Sequence, residues 1–286
     1  MTPTRTLTAH CTLSQDGLPL LTIDNEHARA EISLFGAHVL RYQRHGEPAS
    51  LWLSDKAILD GSKPIRGGIP LCWPWFGPSP ARVGSGKPAH GFARNCLWTL
   101  DGVSDHGDGT LVHLSLRDND ASRTLWPHAF ELELDVLVGK ELSLVLTTRN
   151  TGKSALTYNA ALHTYLQISA PEAVTVTGLG EPYLDKLTGR NELQQGALTV
   201  TAAMDRIYRQ PDAMVSVQDG ERTTRVVNGN HDSVVVWTPW QEGASAMADI
   251  SDNGYRTMLC VEAAITAEDG ITVPPDEEHS FSTVII

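Results

Sequence analysis

The sequence predicts an all-β fold, a large sandwich of antiparallel sheets, on three observations. Short runs alternate apolar and polar residues along most of the chain. Gly, Asp-Gly and Asn-Gly steps punctuate those runs at the places where tight turns are needed. Helical periodicity is confined to two short pieces, around Ala121–Trp126 and Ala244–Ile250. Many strands with so little helix can bury their apolar faces only against other sheets.

Taken in order, Ala28–Leu34 and His38–Gln43 are the first clear strands. Leu111–Arg117 follows the turn signals Asp101-Gly102 and Asp108-Gly109. The strongest pattern is Phe130–Val138 followed by Leu142–Leu146, with apolar residues at every second position of each. A loop of Gly139, Lys140 and Glu141 pairs Val138 with Leu142 and Val136 with Leu144, which puts both apolar sets on one side of a hairpin. Leu156–Ile168 reads as one long strand, and Met214–Gln218, Ser233–Trp237, Thr257–Ala263 and Phe281–Ile286 complete the set. Turn signals at Asp219-Gly220, Asn228-Gly229 and Asp269-Gly270 fall between them. The exception is Lys63–Arg94, rich in Gly and Pro, which reads as a long structured loop anchored by Trp73, Trp75 and Phe76.

No linker, charge block or repeat divides the 286 residues, so a single domain over 1–286 is expected. A net charge of −12 repels nucleic acid and anionic lipid, and any anionic ligand must then be met by a local cluster of Arg or Lys. Met1–Gly17 is polar and no stretch reaches the roughly 20 apolar residues of a membrane span, so a cytoplasmic protein is expected, with a monomer favoured. Cys11, Cys72, Cys96 and Cys260 form no Cys-x-x-Cys pair and read as free thiols of a reducing compartment. Gly84-Ser85-Gly86-Lys87 lacks the first Gly of a phosphate loop and is followed by Pro88. There is no serine elbow and no His-Glu-x-x-His, and the eleven histidines show no ligand spacing, so no metal is expected.

Five ordered blocks carry the functional reading. Ile65-Arg-Gly-Gly-Ile-Pro-Leu-Cys-Trp-Pro-Trp-Phe-Gly-Pro78 is followed by Ala89-His-Gly-Phe-Ala-Arg-Asn95, Ala161-Leu-His-Thr-Tyr165, Asp205-Arg-Ile-Tyr208 and Cys260-Val-Glu262. Together they resemble the hexose-6-phosphate mutarotase branch of the aldose 1-epimerase family, over nearly the whole chain. The resemblance implies a mutarotase β-sandwich, in agreement with the strand pattern. It places the family's catalytic histidine on His163, its catalytic glutamate on Glu262, its sugar-binding aspartate on Asp205, and its substrate- and phosphate-recognising arginines on Arg66 and Arg94. His90 is a further candidate for a sugar hydroxyl. Where several members carry Gln, this chain has Ala89, which implies one fewer side-chain hydrogen bond to substrate.

The implied reaction opens a hemiacetal. A base takes the C1 hydroxyl proton, an acid protonates the ring oxygen, and the ring closes on the other face. Positioned acid–base groups worth roughly 10²–10⁴-fold each suffice, without cofactor or metal. His163 suits the acid and Glu262 the base, whose apolar neighbours raise its affinity for a proton. On the residues alone other readings stay open: a core histidine at 163, a solvated strand face at 262, a turn at 205, and surface ion pairs at 66 and 94. Three functional alternatives stand beside the hexose 6-phosphate reading. They are a mutarotase of unphosphorylated aldoses, a noncatalytic sugar-phosphate binder, and a glycoside hydrolase using Asp205 and Glu262.

Overall fold

The computed structural model describes residues 4–286. Its strands form a five-stranded meander from Arg5–Thr6 to His38–Arg44, a nine-stranded sheet, an eight-stranded sheet and a two-stranded pair, all antiparallel. The hairpin of Phe130–Gly139 and Leu142–Asn150 lies within the nine-stranded sheet, and its register is the expected one: Val138 faces Leu142 and Val136 faces Leu144. Leu132, Leu134, Val136, Leu144 and Leu146 are fully buried.

The eight-stranded sheet positions the site. Its central strand, Met258–Ile265, is buried at all eight residues and lies between Ser233–Thr238 on one side and Ala160–Leu162 on the other. Val261 and Ala263, with Val234 and Val236 of the neighbouring strand, join the same core as the nine-stranded sheet. Alternation sends Cys260, Glu262 and Ala264 to the other face. Register aligns Asp205 with Trp237, Trp237 with Cys260, and Cys260 with Tyr165, so these four share that second face with Glu262. One face of the sheet makes the core, and on the other Glu262 stands between two smaller apolar clusters, one around Cys260 and one around Ala264.

Several local expectations are corrected. Leu156–Ile168 is three short strands, Leu156–Tyr158, Ala160–Leu162 and Tyr165–Gln167. It breaks because the long loop competes for its backbone: the N–H groups of Asn159 and His163 donate to the carbonyls of Pro74 and Pro70 at 3.1 and 3.0 Å. Asp101-Gly102 is not a turn but a register shift inside the strand Thr99–His106, as glycine within a strand commonly marks. Asn228 and Gly229 end the strand Arg222–Gly229, and the chain reverses one residue later at Asn230, whose φ is 54°. The Asn228 side chain is occupied in the sheet, accepting from the Thr283 hydroxyl at 2.8 Å. The first short helix, Asp120–Leu125, falls where expected; the second is Trp240–Ser245, which follows directly on Pro239 and opens on Trp240 at a φ of 56°.

The loop Lys63–Arg94 holds the two-residue strand Leu71–Cys72 and runs at its end into the single helical turn Ala93–Asn95. Trp73 and Trp75 are fully buried and anchor it, with the Trp73 indole N–H donating to Thr148 Oγ1 at 3.1 Å. The loop closes on itself where Phe92 N–H meets the Trp73 carbonyl at 2.9 Å. At this crossing Gly91 has φ 70°, and a Cβ there would stand 1.9 Å from the Trp73 oxygen, so only glycine fits. Cys11, Cys72, Cys96 and Cys260 are free thiols; Cys96 is half-buried and the others are buried. No helix among the described residues is long and apolar enough to cross a membrane.

Candidate active site

All six candidate residues line one cavity of about 280 Å³ on the second face of the eight-stranded sheet: Arg66, His90, Arg94, His163, Asp205 and Glu262. Glu262 comes from the central strand and Asp205 from the strand Met204–Tyr208. His163 sits at the break after Ala160–Leu162. Arg66 and His90 come from the long loop, and Arg94 from the single turn Ala93–Asn95 that ends it.

At the centre, His163 Nε2 lies 3.4 Å from Glu262 Oε1, and both residues are buried. The imidazole stacks on the Tyr165 ring with centroids 4.8 Å apart and meets Trp237 edge-on at 6.0 Å, which fixes its plane. The remaining polar atoms of the pair, His163 Nδ1 and Glu262 Oε2, are buried and have no hydrogen-bond partner among the described residues. Buried polar atoms are seldom left so, and here both border a cavity of sugar size.

Burial governs the protonation of this pair. Desolvation, reinforced by the Asp205 carboxylate, raises the Glu262 pKa well above its ordinary value. Desolvation, with His90, Arg94 and Arg66 nearby, lowers that of His163 well below 6.5. Despite the ion-pair spacing, burial thus favours the neutral form of each member of the pair.

His90 is neutral as well, with its pKa lowered to about 3 by burial and then by Arg94, Lys186 and Arg66. Its Nδ1 accepts from the Gly77 N–H at 3.3 Å, which assigns the ring proton to Nε2. The residue holds a left-handed φ of 63° and packs edge-on against Phe76 at 5.0 Å.

The cations differ in how they are held. Arg66 donates from Nε to Asp249 Oδ2 at 3.1 Å and from Nη1 to the Tyr165 hydroxyl at 3.0 Å, so its charge is matched by a carboxylate. Arg94 has no carboxylate partner among the described residues: Nη2 donates to the Ala89 carbonyl at 3.0 Å and the buried Nε is unpaired. Residue 89 thus contributes through its backbone, by aiming Arg94. A third cation, Lys186, also lines the cavity, with Nζ 2.9 Å from Asp205 Oδ2.

Lys186, Tyr165, Trp237 and Asp249 were not reached as site residues by sequence reasoning. Tyr165 and Trp237 follow from register once Cys260 and Glu262 are placed on one face. Lys186, in the turn after Pro182–Asp185, and Asp249, in an irregular segment, had no periodic signal. His163, Cys260 and Glu262 offer donor atoms within 4.8 Å of one another, a nitrogen, sulfur and oxygen set of the kind zinc takes. Burial pushes the Cys260 thiol well up and keeps Glu262 protonated, so a metal would have to displace two protons.

An antiparallel supersandwich with a buried histidine–glutamate pair lining a polar cavity is the architecture of the mutarotase class of sugar isomerases. The chain belongs to the aldose 1-epimerase family, whose model matches residues 19–285. A Salmonella typhimurium protein named "Putative glucose-6-phosphate 1-epimerase" is 37% identical over 251 residues, covering 86% of this chain and 83% of that one. An Escherichia coli protein of the same name is 35% identical over 258 residues, covering 88% and 85%. The crystal structure of a "putative mutarotase" from Salmonella typhimurium superposes with a TM-score of 0.93 at 32% identity, covering 99% of this chain and 96% of that one. The galactose 1-epimerase of Lactobacillus acidophilus shares the fold, with a TM-score of 0.72 at 14% identity and 98% of each chain covered.

Proposed function

We propose that this enzyme interconverts the α and β anomers of glucose 6-phosphate or a closely related hexose 6-phosphate. The observation that carries the reading is the convergence, in one cavity, of the His163–Glu262 pair with Arg66 and Arg94. An acidic protein concentrates cations at one place for an anionic ligand, and a guanidinium fork matches phosphate oxygens. The names of the Salmonella and Escherichia relatives point the same way.

In this mechanism Asp205 and His90 hold sugar hydroxyls, while His163 and Glu262 exchange protons with the C1 hydroxyl and the ring oxygen. His163 serves as acid and Glu262 as base. Burial leaves the proton on Glu262 before substrate arrives, and one transfer across the 3.4 Å gap sets up those roles. The two assignments of acid and base share one proton inventory, so the pair serves ring opening and closing alike. The reading includes a single domain working as a cytoplasmic monomer; a site drawn from residues 66 to 262 is consistent with one domain.

The test is anomer exchange at equilibrium, followed by NMR for glucose 6-phosphate, glucose and galactose against the spontaneous rate. Acceleration chiefly of the phosphate is expected. Equal acceleration of all three would assign unphosphorylated aldoses instead, and no acceleration would leave a binding protein.

A further inference from the structure

Lys186 stands at an unusual place. Its backbone N–H donates to the Asp205 carbonyl at 2.8 Å, so its root is tied to the residue whose side chain it pairs with. Its Nζ lies 2.9 Å from Asp205 Oδ2 and 5.2 Å from the centre of the Phe76 ring. Lys186 and Phe76 line both the catalytic cavity and an adjoining one of about 450 Å³, so they form the partition between the two.

The pairing has a cost for substrate binding, because the ammonium on Asp205 Oδ2 competes with a sugar hydroxyl for that oxygen and draws charge from the carboxylate. The local charge is equally constrained. Arg66 and Lys186 are each opposed by a carboxylate, Asp249 and Asp205, which leaves Arg94 as the one cation lining the cavity without a carboxylate partner among the described residues. A phosphate monoester brings about −1.5 to −2 at neutral pH. The balance improves if one cation leaves its carboxylate for the phosphate. Arg66 is fixed by a rigid fork bonded at two points, to Asp249 and Tyr165. Lys186 has one charged contact on a flexible four-carbon stem.

We propose that Lys186 is a specificity-determining residue: the substrate's phosphate draws its ammonium off Asp205, and that exchange frees Asp205 to hold the sugar. The inference rests on the hexose 6-phosphate reading above. It explains discrimination without any contact that repels glucose. A free sugar competes with the ammonium for Asp205 and returns no phosphate to it, whereas a phosphorylated sugar supplies the ammonium with a new partner.

The test compares Lys186→Gln and Lys186→Arg with the unaltered enzyme, reading kcat and KM by anomer exchange for glucose 6-phosphate and for glucose. The ratio of their kcat/KM values measures discrimination. Loss of a charge-assisted contact of about 1.5–3 kcal/mol lowers that ratio in Lys186→Gln by roughly 10–100-fold. The loss falls in KM for the phosphate, kcat/KM for glucose rises as Asp205 is released, and Lys186→Arg restores much of the ratio. A merely structural role would lower both sugars together and leave the ratio in place. A fall of less than tenfold in Lys186→Gln, in an enzyme whose unaltered form prefers the phosphate, overturns the role of Lys186 alone. An unaltered enzyme with no such preference overturns the hexose 6-phosphate reading, and this inference with it. Calorimetric binding of glucitol 6-phosphate, which has no ring to open, checks the same contact apart from chemistry, and an unweakened affinity in Lys186→Gln counts against the proposal.

Discussion

His163 Nε2 stands 3.4 Å from Glu262 Oε1, both groups buried where desolvation favours the neutral form of each, with the imidazole laid flat on Tyr165. This spacing lets one proton serve two groups.

Replacing His163 with Ala, or Glu262 with Gln, is expected to lower kcat by about 10²–10⁴-fold, the usual value of a positioned acid or base. Binding of glucitol 6-phosphate should persist within a few-fold, because the phosphate contacts are elsewhere in the cavity. Exchange NMR and calorimetry read the two effects separately, and near-normal turnover in either variant would remove that residue from the mechanism.

The pH profile follows from the same pair. An ordinary imidazole of pKa 6.5 would be about nine-tenths protonated at pH 5.5. Burial holds His163 far below that value, so the pair keeps its single proton through this range. At saturating substrate, kcat should retain most of its pH 7 value at pH 5.5. It should fall at higher pH only when Glu262, whose own pKa is raised, loses the proton. A midpoint near 6.5 on the acid limb would contradict the buried neutral pair.

Glu262 also links pH to stability. Its folded pKa is raised above the unfolded value, so its contribution is fully present below about pH 4.5 and is lost as pH rises through the folded pKa. Glu262→Gln removes that loss. The variant should melt higher than the parent at pH 8, by about 2–4 °C for each kcal/mol recovered, and the difference should vanish near pH 4. Calorimetric scans at the two pH values decide the matter.

Arg94 and Arg66 should not be equivalent. Arg66 already answers Asp249, while Arg94 has no carboxylate partner among the described residues. Arg94→Ala should therefore raise KM for glucose 6-phosphate more than Arg66→Ala, by several-fold, and the double variant should lower preference over glucose further, leaving the share that Lys186 supplies. Undiminished preference in the double variant would place the phosphate elsewhere.

Gly91→Ala should cost both stability and activity, since its Cβ would meet the Trp73 carbonyl at 1.9 Å in a backbone of φ 70°. The displaced segment carries His90 and Arg94. Gly84→Ala, at φ 92° but with nothing within 4 Å, is the control that carries backbone strain without collision. Thermal melting and turnover of both variants separate the two effects.

Much of this was legible in the sequence because it depends on alternation. The register of Val138 against Leu142 follows from period and loop length alone. His163, Glu262, Asp205, Arg66, Arg94 and His90 were reachable because they lie in ordered family blocks, and the fold brings all six to one cavity. The strand Met204–Tyr208 was missed because Met-Asp-Arg-Ile-Tyr does not alternate cleanly, so Asp205 read as a possible turn. The break at His163 was hidden for another reason: its cause is a carbonyl 93 residues away, at Pro70, that no local pattern announces. Lys186 and Asp249 escaped because their roles lie wholly in what they touch.

The strand Ala160–Leu162, which delivers His163, is paired with Met258–Ile265, which delivers Glu262, about a hundred residues further along the chain. Contacts of such sequence separation close large loops and form slowly, whereas the hairpin of Phe130–Gly139 and Leu142–Asn150 closes over three residues. Refolding from denaturant should accordingly proceed in an order, with β-sheet signal returning ahead of turnover. The regain of catalytic activity then serves as a clock for the last long-range closure of the chain.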